Sequence, residues 1–214
     1  MSGYFGFDDL RIGEGEKEIV VKGGTVGVVT SSQVFDSEYD SIVGLAYPSM
    51  AEYGTPLVDK MIENEVLPRN IFAFYMAMND VEESELVFGI IDETRFTGEI
   101  HWHDVRDKLF WSLRLSDIKY KGVSLGLCQD RKCLVTPDSG TSLLTVPSWA
   151  FHTINEALPY DEGCESKFDF GHLTYVIDDN EYNLPSHHFM ERYTNVFEEG
   201  DSVCSNTIAT LDIL

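Results

Sequence analysis

The chain has 214 residues, with 37 acidic against 15 basic side chains, a formal net charge of -22 at pH 7, an apolar fraction of 43% and an aromatic fraction of 12%. That composition is globular, and so acidic a surface is a poor partner for nucleic acid or anionic membrane, because phosphate binding needs clustered cations. No apolar run approaches membrane-spanning length, so the charge reads as a solvated acidic surface, one that suits a compartment where carboxylate repulsion relaxes on protonation.

Strand signals dominate along the chain. Glu18 to Thr30 carries Ile19, Val20, Val21, Val26, Val28 and Val29, a β-branched run whose Gly23-Gly24 interruption predicts a hairpin. Thr55-Pro56 opens a predicted helix over Leu57 to Glu65, with proline in the first turn. Further strands are predicted at Ile71 to Met78 and Glu85 to Ile91, on either side of the acidic turn Asn79 to Ser84. A division of the chain falls near residues 92 to 106, and Pro147-Ser148 opens a second helix over Trp149 to Leu158. The sum is a mainly β chain with a few short helices.

Cys128, Cys133, Cys164 and Cys204 allow three pairings, and spacing alone does not choose among them. Cys128 and Cys133 bracket Gln129-Asp130-Arg131-Lys132, a loop that a hairpin disulfide could close, while Cys164 and Cys204 flank a longer excursion. A structural zinc site wants compact paired ligands, which these four lack, and reduced buried thiols are the other alternative. Disulfides would indicate an oxidising compartment. Two histidine pairs, His101-x-His103 and His187-His188, raise the question of a metal. Adjacent histidines point apart on a strand, and His101 and His103 share a strand face with no third ligand nearby, so solvated or capping roles are expected. Gly140-Thr141-Ser142-Leu143-Leu144 fails the serine-hydrolase pattern Gly-x-Ser-x-Gly, and no Gly-x-x-x-x-Gly-Lys phosphate loop occurs.

Chemistry concentrates in Leu134-Val135-Thr136-Pro137-Asp138-Ser139-Gly140-Thr141-Ser142-Leu143-Leu144-Thr145. A carboxylate on a tight glycine turn among hydroxyls is built to be held, desolvated and tuned, as general acid/base carboxylates are. Asp-Ser-Gly alone is ordinary turn chemistry. Its surroundings set it apart: the run from Asp138 to Val146-Pro147 closely resembles the second catalytic motif of the pepsin-like aspartic proteases. Ser2-Gly3-Tyr4-Phe5-Gly6-Phe7-Asp8 is similar to the strand that leaves that family's substrate-covering flap. Tyr39-Asp40-Ser41-Ile42-Val43-Gly44-Leu45-Ala46-Tyr47-Pro48 resembles its aromatic-Asp-Gly block, with Ser41 where glycine is usual. Phe88-Gly89-Ile90-Ile91-Asp92 is similar to the Gly-Gly-Ile-Asp of the inter-lobe linker, and Phe110-Trp111-Ser112-Leu113 to a Tyr-Trp strand.

The resemblance covers the whole chain and implies a bilobal, mostly antiparallel β acid-protease fold, present in part. Residues 1–95 would form the later part of the N-terminal lobe, and residues 96–214 the C-terminal lobe without its final strands. Asp138 would be a buried acid facing a twin across a peptide-sized groove. Gly140 would permit the turn, Ser139 would lock the loop to its counterpart, and Thr141 would bond the outer carboxylate oxygen. Gly140, Thr141 and Ser142 would meet the substrate backbone, while Phe35, Tyr39 and Phe110 are candidates for apolar side-chain pockets whose more ordinary role is core. The resemblance further implies the disulfides Cys128–Cys133 and Cys164–Cys204, a polypeptide substrate, no cofactor or metal, a monomeric full-length parent, and a secreted or endolysosomal (vacuolar) setting.

Two departures qualify the match. The family uses two Asp-Thr/Ser-Gly motifs, whereas Asp36-Ser37-Glu38 and Asp40-Ser41-Ile42 lack the glycine, so the first motif and the flap tip are expected before Met1, which then reads as an internal methionine. A lone carboxylate cannot share a proton, so these 214 residues are expected to be inactive alone. Pro137 stands where an aliphatic strand residue is usual and removes a backbone donor beside Asp138. The alternative of another class is a non-catalytic pepsin-fold module that binds a peptide or an inhibitor.

Overall fold

The computed structural model describes residues 2–31, 40–78, 81–162, 170–194 and 202–212. The chain separates into two units, Met1–His101 with Lys108–Phe110, and Trp102–Asp107 with Trp111–Leu214.

In the first unit, β1 (Ser2–Ile12) pairs antiparallel with β2 (Ile19–Ser31). The hairpin expected inside Glu18 to Thr30 is not formed, because β2 runs through Gly23-Gly24 as one strand and the reversal lies between β1 and β2. Those glycines make a bulge. Pairing jumps from Asp8↔Gly24 to Leu10↔Val21, and Gly23 sits at φ +62° with its N–H donated to Asp9 Oδ1 at 3.0 Å. A Cβ on Gly24 would fall 2.6 Å from the Leu10 side chain. Left-handed backbone and close approach are what paired glycines provide, and a bulge needs both as much as a turn does. After Pro56, α1 (Leu57–Glu63) follows the predicted start and stops short of the expected end, where Glu65 turns left-handed at φ +54°. Its Met61 and the β2 residue Val21 are fully buried, and Lys22 N–H donates to Asn64 Oδ1 at 2.6 Å, tying the helix end to the strand. The predicted strands at 71–78 and 85–91 form the antiparallel pair β3 (Phe72–Tyr75) and β4 (Glu85–Phe88). Arg95 fastens this hairpin by pairing with Glu85 and Glu82 and lying 4.6 Å over the Tyr75 ring.

The second unit is built on β5 (Leu113–Tyr120), which carries β6 (Val123–Ser124) and β7 (Cys133–Val135) on the side opposite β10 (His172–Ile177) and β11 (Asn180–Pro185). A second sheet joins β12 (Met190–Thr194), β13 (Ser202–Asn206) and β9 (Asp161–Glu162). A parallel pair is made by β8 (Leu144–Val146) and β14 (Ile208–Thr210), and the predicted helix appears as α2 (Ser148–Ala157). Ala150 and Ile154, one turn apart on α2, and Leu158 just beyond it turn inward on Leu115, Ile118, Phe170, Leu173, Phe189 and Met190. Spacing of four residues puts these side chains on one stripe, which is why this stretch folds as a helix against a sheet. Both units are mainly β, with antiparallel sheets and short helices, as the sequence leads one to expect.

Cys128 and Cys133 are joined in a disulfide, with Cα atoms 5.6 Å apart, closing the loop before β7. Cys204 is fully buried in β13; its expected partner, Cys164, lies outside the described residues.

Candidate active site

The Asp138 turn is strung between two anchored strands. Upstream, β7 lies on β5 through Leu113↔Val135, Arg114↔Leu134 and Leu115↔Cys133; downstream, β8 runs beside β14 from Ile208↔Leu144 to Thr210↔Val146. The eight residues between are free of ladder pairing, so the side chains of the turn organise it. Asp138 Oδ1 accepts the Gly140 N–H at 2.9 Å, and Oδ2 accepts the Thr141 hydroxyl at 2.6 Å. An aspartate that bonds the backbone two residues on, and a hydroxyl one residue further, closes a local Asx turn. Glycine eases this closeness, since a Cβ on Gly140 would stand 3.2 Å from Asp138 Oδ1, a tight contact. Pro137 removes no ladder bond, because β7 ends at Val135, two residues earlier.

One expectation fails here. Asp138 is exposed, as are Ser139, Gly140, Thr141 and Ser142, so the carboxylate is held without being desolvated. The reason is local: among the described residues its hydrogen bonds come from its own turn alone, and the apolar runs that flank it in sequence lead into β7 and β8 rather than folding over it. Asp36 of the first candidate motif, and the pocket candidates Phe35 and Tyr39, lie outside the described residues, while Phe110 is half-buried.

The second unit also holds groups that no local pattern announces. Asp212 accepts both the Ser148 N–H at 2.8 Å and the Ser148 hydroxyl at 2.6 Å, and these bonds hold its carboxyl below the usual carboxylate range. It caps the N-terminus of α2, where a helix favours an anion. Pro147-Ser148 marks the helix start in the sequence, but nothing local marks the cap, which arrives from 64 residues away. Upstream, Ser112 and Thr136 join by their hydroxyls at 3.1 Å.

Among the histidines, His101, His187 and His188 are exposed, as solvated roles require, and His103 departs from expectation. His187 and His188 lie in the short helical turn Ser186–His188 with rings 4.1 Å apart, so the strand geometry that would separate them does not apply. His103 is neither on a strand nor solvated. Its side chain is 8% exposed, its Nδ1 is 2.9 Å from Asp178 Oδ2, and its Nε2 is 2.7 Å from the Tyr182 hydroxyl. This bond to His103, and after it Arg106, hold the Asp178 carboxyl below its ordinary range.

A family model described as eukaryotic aspartyl protease matches residues 1–212. The chain belongs to the eukaryotic aspartyl protease family. It is 33% identical to chymosin of Callithrix jacchus over 91% of its own length and 51% of that protein's. It is 31% identical to gastricsin of Cavia porcellus (86% and 49%) and 30% identical to cathepsin E-A of Xenopus laevis (100% and 54%). The chain thus spans about half the length of the curated relatives it matches. In this aspartyl protease chain, part of the segment that resembles the family's aromatic-Asp-Gly block borders a cavity. Ile42, Val43 and Gly44 line a volume of about 1220 Å³ within the first unit, together with Val28, Tyr53 and Phe88.

Proposed function

We propose that this chain is the part of an aspartic endopeptidase that supplies one of two catalytic carboxylates. The carrying observation is the Asp138-Ser139-Gly140-Thr141-Ser142 turn, whose carboxylate is fixed by Gly140 and Thr141 within a chain matched to the aspartyl protease family almost end to end. In this reading Asp138 and a second carboxyl group share one proton, because two carboxylates a few ångströms apart cannot both ionise. One takes a proton from a water molecule as the other polarises the peptide carbonyl, and the activated water attacks. Thr141 and Gly140 keep the Asp138 carboxylate aimed, Ser139 braces the loop, and Gly140, Thr141 and Ser142 offer polar groups to the substrate backbone. Residues 1–95 and 96–214 contribute to two lobes of a monomer that takes polypeptides with apolar residues around the scissile bond. The Cys128–Cys133 disulfide supports a secreted or endolysosomal (vacuolar) setting.

Carrying a single Asp-Ser-Gly, the 214 residues would not turn over peptide alone. The test is a peptide-cleavage assay at acid pH on this chain and on the longest natural product that contains it. The longer protein is expected to show pepstatin-sensitive turnover that falls by at least about a thousandfold on Asp138→Asn, the scale for losing a group on which the chemical step depends. Turnover that survives Asp138→Asn would overturn the reading.

A further inference from the structure

We infer that Ser112 and Thr136 are positioning residues for the Asp138 turn, joined hydroxyl to hydroxyl across the base of the loop. The inference rests on the reading of Asp138 as a catalytic carboxylate. Backbone pairing of β7 with β5 ends at Leu113↔Val135, and Pro137, two residues on, has no N–H with which to extend it. Ser112 and Thr136 are the next cross-strand pair, and their 3.1 Å bond carries the pairing one step nearer to Asp138 through side chains.

The anchor end of this link is rigid. Ser112 is 4% exposed, its carbonyl accepts the Arg106 N–H at 2.8 Å, and it bridges to Asp107. The segment that supplies these contacts is itself fastened in the same unit, since His103 and Arg106 both reach Asp178 in the turn between β10 and β11. The free end of the link is the stem of an exposed loop with no ladder bonds of its own. A buried hydroxyl that loses its partner is left without compensation, so the link resists opening more than a surface bond would.

The test follows the Gly140 amide, the proton donated to Asp138, by NMR water-exchange rates on the labelled 214-residue chain. Ser112→Ala and Thr136→Val are each expected to speed Gly140 exchange by about fivefold to tenfold, the population change that one lost hydrogen bond gives. Thr136→Ser, which keeps the hydroxyl, should stay within about twofold of the parent chain, and the double variant should be no faster than the singles, because both remove the same bond. Amides of Ile154 and Leu173 in the core should be unmoved. Unchanged Gly140 exchange in Thr136→Val, failure of Thr136→Ser to restore it, or additive effects in the double variant would overturn the inference. Should Ser112→Ala fail to fold, the half-buried Thr136 and its two variants decide it. Gly140 exchange needs no turnover, so a failed peptidase assay would sink the proteolytic reading and leave this result standing.

Discussion

The two units draw on similar residues and bury them very differently. In the second, ten side chains among the described residues form one cluster with α2 that includes Leu115, Ile154, Leu173 and Phe189. In the first, Val21 and Met61 are the fully buried apolar side chains among the described residues, while Tyr4, Phe5, Phe7, Val28 and Val29 stand exposed along β1 and β2. A two-stranded ribbon buries at most one face, and only against a second layer. The helix α1 covers β2 near Val21, and the far half of the ribbon carries aromatics out into solvent. Apolar content therefore does not measure core; the number of layers that meet does.

The largest effect should come from the packed unit. Ile154 is 2% exposed at the centre of the α2 stripe, so Ile154→Ala removes buried methyl groups and leaves a cavity, at a cost of about 2 to 5 kcal/mol. Urea unfolding read by amide exchange is the measurement. Protection should fall across β5, β10 and α2 and stay unchanged in β1 and β2. A loss shared equally by both units would show a single cooperative core and erase the contrast.

The same contrast explains what could be read from sequence. Strand and helix identities were legible where one local pattern decided them: Pro56 and Pro147 open the helices, and the runs at 71–78 and 85–91 become β3 and β4. Gly23-Gly24 depends on context, because glycine pairs serve bulges and turns alike, and the partner that makes it a bulge, Leu10, lies in another strand. The Asp138 turn was legible because its bonds span two and three residues. Burial of Asp138 was not, since exposure is decided by what else in three dimensions reaches the loop. Asp212 on Ser148 and Asp178 on His103 are bonds across 64 and 75 residues, beyond any local pattern.

A smaller effect belongs to Asp212. Bonded by Ser148, its carboxyl titrates below the ordinary value of 3.8, so the folded chain holds the anion more firmly than the unfolded chain does. A depressed folded value means that this contribution is present in full above the ordinary range and is lost as pH falls through the folded one. Protection of α2 amides should hold from pH 7 down to about pH 4 and decline below it. Asp212→Asn should lower protection at pH 7 and flatten the decline. Parallel curves for the two proteins would show that the cap does not bear on the helix.

The smallest effect is the most informative about the first unit. Phe7 on β1 is 74% exposed, so it contributes little burial to the folded state despite its size. Phe7→Ser should change the unfolding free energy by less than about 0.5 kcal/mol, as surface substitutions do, whereas a core phenylalanine cut back this far would cost about 3 to 5 kcal/mol. Solubility should rise, because an exposed apolar strand face favours association. The measurement is urea unfolding of the 214-residue chain over a range of protein concentrations. A loss above about 1.5 kcal/mol that persists on dilution would mean that Phe7 is packed in solution, and that the ribbon has a second layer after all.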